Sequence, residues 1–89
     1  MDTYYYNSLI EAFASLKTKK EIRSFLDGIL TPKEREELPV RLQIVKMLKK
    51  GIAQHKIAEE LGIGVATVTR GSKEIAKGNF ARISPSGWR

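Results

Sequence analysis

The stretch QHKIAEELGIGVATVTRGSK, residues 54–73, constrains the fold more than any other part of the chain. Two segments of helical character flank the tripeptide GIG. A turn of three or four residues forces such helices to meet at a steep angle, the helix-turn-helix arrangement. Ala58 is small where the helices would cross. Gly62 follows Leu61 at the C-terminal cap, where the backbone favours the left-handed conformation. Ile57, Leu61, Ile63 and Val68 are the aliphatic residues that would bury the joint. Gly64 either gives the entry into the second helix or lets the backbone approach a phosphate closely. Two amphipathic helices that merely meet would not need this order of small, aliphatic and glycine positions.

Three more helices are expected upstream. In residues 4–16, Tyr6, Leu9, Ile10, Phe13 and Leu16 recur at helical spacing. In TKKE, Thr18 can cap a helix and Glu21 can reach back to it; Ile22, Phe25, Leu26 and Ile29 form its apolar face. In LTPKE, Thr31 suits the cap, Pro32 the first helical position, and Glu34 completes a second box. Glu34, Glu36 and Glu37 complement the positive end of that helix dipole. This third helix should run to Lys50 and stop at Gly51. Pro39 inside it removes one hydrogen bond, so a kink or two abutting helices are expected. The fourth helix should cover residues 54–61 and the fifth residues 65–77, ended by Gly78. The resulting class is all-α: a five-helix helix-turn-helix domain over residues 1–78, followed by a flexible tail, residues 79–89, in which Trp88 has no assigned contact.

Eighty-nine residues make one small domain whose core is marginal alone, a situation that oligomerisation remedies. With 42% apolar residues the chain is ordinary for a folded protein. It has no cysteine, which excludes disulfides and thiolate metal sites. No apolar run approaches the ~20 residues that span a bilayer. The start MDTYYYNSL lacks the basic region of a secretory signal. A cytoplasmic protein without a membrane partner is expected.

The net charge of +6 is unevenly spread. Residues 1–37 hold six Lys/Arg against seven Asp/Glu, while residues 38–89 hold ten against three. A basic half that coincides with the helix-turn-helix is the electrostatic footprint of a polyanion binder. In that geometry the fifth helix is the recognition helix, and its first residues reach base edges in the major groove of double-stranded DNA. These are Val65, Ala66, Thr67 and Thr69. Threonine hydroxyls bond to base edges, and apolar groups touch the thymine methyl. Gln54, His55 and Lys56 open the helix that would cross the backbone and are candidates for phosphate contact. His55 reads equally as a solvated surface residue. Lys73 and Lys77 read as phosphate contacts or as a solvated face.

The wording LTPKEREEL, RLQIVKMLKKG and GVATVTRGS resembles the Trp repressor superfamily. The loop KKGIAQHKI, one residue shorter than in true Trp repressors, is more similar to the Trp-repressor-like YerC/YecD branch. The resemblance runs over residues 30–72. It implies an intertwined all-helical dimer that represses transcription from operator DNA, with L-tryptophan as corepressor in the true repressors. By position, Arg41 and Arg70 match the two arginines that sandwich the indole, a sound cation–π arrangement. Leu30 and Thr31 match the carbonyls that receive the ligand amino group, and Gly71 lies where the ring is closely approached. Two features depart from the family. Glu74 stands where a true repressor carries serine, and NFARISPSGWR is unlike a long last helix. With those departures no cofactor is expected. Arg41 reads alternatively as the partner of the acidic run of the third helix, and Arg70 as a phosphate contact.

Three functions are compatible with these features to different degrees. The first is a homodimeric, sequence-specific transcriptional regulator, acting as a repressor. The second is a nucleic-acid or protein interaction module of the same fold without operator specificity. The third, an enzyme, lacks support: there is one histidine, no phosphate-binding glycine motif, and Glu59 and Glu60 diverge by about 100° on a helix.

Overall fold

The computed structural model describes residues 2–86 and contains five helices among them. They are α1 (Thr3–Ser15), α2 (Lys19–Ile29), α3 (Pro32–Lys49), α4 (Gln54–Leu61) and α5 (Val65–Ala76). The all-α expectation is met, and the expected boundaries hold to within a residue or two. The chain divides into two compact units, Met1–Arg35 and Glu36–Arg89. The sequence had read residues 1–78 as one block.

The first unit is organised by its caps. The Asp2 carboxylate accepts from the Tyr4 N–H at 2.8 Å and starts α1. The box at α2 is complete: the Thr18 hydroxyl accepts from the Glu21 N–H, and Glu21 Oε1 accepts from the N–H groups of Lys17 and Thr18. Those backbone bonds hold the Glu21 carboxyl below the ordinary glutamate range. Thr31 and Glu34 repeat the box at α3. Phe13 and Phe25 meet edge to face with ring centroids 5.0 Å apart. Neither α1 nor α2 contains a fully buried residue.

The second unit carries the core. Ile44 and Met47 of α3, Ile57 and Ala58 of α4 and Val68 of α5 form its buried cluster, with Met47, Ile57 and Val68 wholly sealed from solvent. Leu48, Ile52, Leu61 and Ile63 pack around it. Each of the three helices therefore contributes one face to a common apolar centre, which fixes α4 and α5 on α3. The α-helix continues through Pro39, so there are not two abutting helices. The proline supplies no N–H to the Arg35 carbonyl, and both residues are exposed, so water can replace the missing donor.

Side chains of α3 contact the segment after α5. The chain turns at Gly78, whose φ of +86° suits glycine. Lys49 Nζ then donates to the carbonyls of Phe80 and Ile83, and Lys46 Nζ donates to that of Ser86 at 3.1 Å. Trp88 lies outside the described residues. No helix among the described residues is long and apolar enough to cross a membrane.

Candidate nucleic-acid interface

The turn between α4 and α5 forms as its sequence demands. Gly62 takes the left-handed conformation, φ +66° and ψ +39°, and its N–H is directed at the carbonyls of Ala58 and Glu59. A non-glycine residue there would crowd its own β-carbon against the backbone. Ile63 N–H closes the turn on the Ala58 carbonyl at 3.0 Å. Gly64 is different. Its backbone is extended, φ −72° and ψ 146°, and a β-carbon added to it would meet no atom within 4 Å. Its conformation is open to any residue, so the chain's own fold does not explain the glycine.

Gly64 starts α5 without a side-chain cap, and Ala53 starts α4 in the same way. The first N–H groups of a helix lack intrahelical partners and carry the positive end of its dipole. Both helix starts therefore present donors.

Val65, Ala66 and Thr67 form the first turn of α5 and are exposed, Val65 by 52%. One turn further on, Val68 is fully buried. The helix is thus anchored by its second turn and projects its first. His55, Lys56 and Lys73 are exposed as well. Gln54 and Thr69 are half-buried and joined: Thr69 Oγ1 lies 2.7 Å from Gln54 Oε1 and 3.1 Å from the Val65 carbonyl. Sequence reasoning had placed both residues at the interface without linking them, because nothing in spacing reveals which side chains meet across a turn. Lys77 is engaged within the chain, 3.2 Å from Glu74.

A groove of about 550 Å³ runs beside α5. Arg41, Arg70, Gly71 and Glu74 all line it, together with Leu38, Leu42, Thr67 and Phe80. The two arginines, 29 positions apart in sequence, do share one cleft. Their side chains have local partners. Arg41 pairs with Glu37 one turn earlier at 3.6 Å. Glu74 accepts from Asn79 Nδ2 at 2.7 Å and from Lys77 Nζ at 3.2 Å. The bond from Asn79, then that from Lys77, hold the Glu74 carboxyl below the ordinary glutamate range; the Lys77 and Arg70 charges add to this, and desolvation opposes it. Gly71 is close to α3 itself: a β-carbon there would lie 3.0 Å from Ile44 Cγ2. Leu30 and Thr31 belong to the first unit, where the Thr31 carbonyl accepts from the Arg35 N–H at 3.0 Å. Asn79 and Phe80 were missed as groove residues. The available signal was Gly78, whose φ of +86° turns the chain after α5.

The chain has relatives among known proteins. It is 37% identical over 71 residues to a Trp operon repressor homolog of Vibrio campbellii, covering 79% of this chain and 71% of the relative. A Trp operon repressor homolog of Photobacterium profundum is 48% identical over 63 residues, 70% of this chain and 59% of the relative. The uncharacterized protein YerC of Bacillus subtilis is 35% identical over 75 residues, 84% of this chain and 72% of the relative. No solved structure matches the chain. The family model described as Trp repressor protein matches residues 5–81, which span every helix from the first turn of α1 to the turn after α5. The chain belongs to the Trp repressor family.

Proposed function

We propose that this chain is a sequence-specific, DNA-binding transcriptional regulator that works as a homodimer in the cytoplasm and represses by occupying a promoter. The observation that carries the reading is the exposure of Val65, Ala66 and Thr67 at the start of a helix whose next turn is buried. An anchored rod with a bare first turn is what major-groove reading requires. The surrounding charge supports it, since residues 38–89 hold ten basic against three acidic side chains. Val65, Ala66 and Thr67 would face base edges, while Gln54, His55, Lys56 and Lys73 would face the backbone. The names of the relatives from Vibrio and Photobacterium agree with a repressor role.

The dimer is supported by apolar surface. Tyr4, Tyr5, Tyr6, Ile10 and Phe13 of α1 and Ile22 and Ile29 of α2 are exposed, and their unit has no buried residue in either helix. A second copy would cover such a surface and set two recognition helices about 34 Å apart, matching a palindromic site.

DNA binding without tryptophan is part of the proposal. Glu74 is engaged by Asn79 and Lys77, and Arg41 by Glu37, so an amino-acid ligand would have to displace bonds already made. The test is titration of a selected duplex and a random duplex, each with and without tryptophan. Preference for the selected duplex, unchanged by tryptophan, is expected. Equal affinity for both duplexes would leave only the interaction module without operator specificity.

A further inference from the structure

The hydrogen bond between Thr69 and Gln54 separates two residues that otherwise look like equivalent interface contacts. Thr69 stands in the second turn of α5 and Gln54 is the first residue of α4, fifteen positions earlier. A threonine hydroxyl has one hydrogen to give. Directed at Gln54 Oε1, 2.7 Å away, it holds the amide by its oxygen. The amide nitrogen then keeps both hydrogens, and Gln54 Nε2 donates to no other described residue. The Val65 carbonyl of the same helix competes for that hydrogen from 3.1 Å, and the shorter 2.7 Å distance favours Gln54. Thr69 itself is half-buried, unlike Ala66 and Thr67. The bond also ties the uncapped start of α4 to the second turn of α5.

We infer that Thr69 is a positioning residue rather than a base reader: its hydroxyl holds the Gln54 amide by the oxygen, so that the NH₂ group is presented to a DNA phosphate. The inference rests on the DNA-binding reading. Thr69 acts on affinity through Gln54, and base preference is left to Val65, Ala66 and Thr67.

The test is a double-mutant cycle of Thr69→Val and Gln54→Ala, with Thr69→Ser as the conservative variant. Binding is measured on a selected and a random duplex, and melting temperature is measured on every variant. Losing one hydrogen bond of this kind corresponds to about a five- to tenfold loss of affinity. Thr69→Val should weaken binding by that factor on both duplexes alike. In the Gln54→Ala background it should add little, because groups that act as a unit are not additive. Thr69→Ser should bind within about twofold of the parent. A change in base preference in Thr69→Val would overturn the inference. So would losses from the two substitutions that simply multiply. A threonine of purely structural value would lower the melting temperature with no Gln54-dependent loss of affinity, which would also overturn it. If the parent chain binds no duplex, the DNA-binding reading itself fails. The cycle in melting temperature then still decides whether the two side chains are coupled, and additive shifts would refute the bond.

Discussion

Gly71 in α5 lies directly against Ile44 in α3, so close that a β-carbon on the glycine would sit 3.0 Å from Ile44 Cγ2 and 3.6 Å from Leu48 Cδ1. α5 is therefore seated on α3 by close backbone approach. Ile44 is itself 2% exposed and cannot swing out to make room.

Gly71→Ala should consequently destabilise the chain by about 1–3 kcal/mol, the usual cost of overpacking a filled site. Denaturant unfolding of the variant measures it. A companion Ile44→Ala removes the Cγ2 methyl that makes the contact, and it should make Gly71→Ala less costly than it is in the parent. Equal costs in both backgrounds would mean that the contact is not tight.

The two glycines of the turn should behave differently. Gly62→Ala forces a side chain into a left-handed backbone and should cost about 1–2 kcal/mol in unfolding experiments. Gly64→Ala meets no atom and needs no unusual φ, so stability should hold within about 0.5 kcal/mol. A loss of DNA affinity in Gly64→Ala at unchanged stability would locate close backbone approach at that residue. Unchanged affinity would make Gly64 only the entry to the helix.

This contrast shows what the sequence made legible. The order of Ala58, Gly62, Ile63 and Val68 announced the turn, because each answers a local demand of backbone or packing that sequence position alone defines. The capping boxes at Thr18 and Thr31 were readable for the same reason. Contacts that depend on how helices seat on one another were not. Gly71, which the family resemblance sets beside a ligand ring, does line the groove with Arg41 and Arg70, but spacing gives no sign of its tight seat on Ile44. The contacts of residues 79–86 were hidden because they come from lysines some thirty residues upstream donating to backbone carbonyls, which any sequence offers. Helix through Pro39 was hidden because solvent exposure, not residue identity, decides whether a missing N–H is tolerated.

The Glu74 carboxyl provides a pH test of the same region. Its pKa is depressed in the fold, mainly by the bond from Asn79. A group lowered in this way contributes stability above its unfolded pKa and loses it as pH falls through the folded value. Carboxyl NMR titration should thus give Glu74 a midpoint below that of an unstructured glutamate, and Asn79→Ala should move it upward. An unchanged midpoint in Asn79→Ala would show that the bond does not persist in solution.

Lys49 should act on the segment after α5 rather than on DNA. Its Nζ donates to the Phe80 and Ile83 carbonyls. Lys49→Met should speed amide exchange in residues 79–83 while changing duplex affinity much less than Lys56→Met does. Faster exchange without that difference in affinity would place Lys49 among the phosphate contacts instead.

Selection of binding sites from random duplexes with the full chain tests most directly whether the exposed first turn of α5 reads DNA sequence. An enriched palindrome with half-sites one helical turn apart, ~34 Å, is expected, and its preferred bases should change when Thr67→Ala is selected in parallel. No enrichment, or a consensus indifferent to substitution at Ala66 and Thr67, would contradict this expectation.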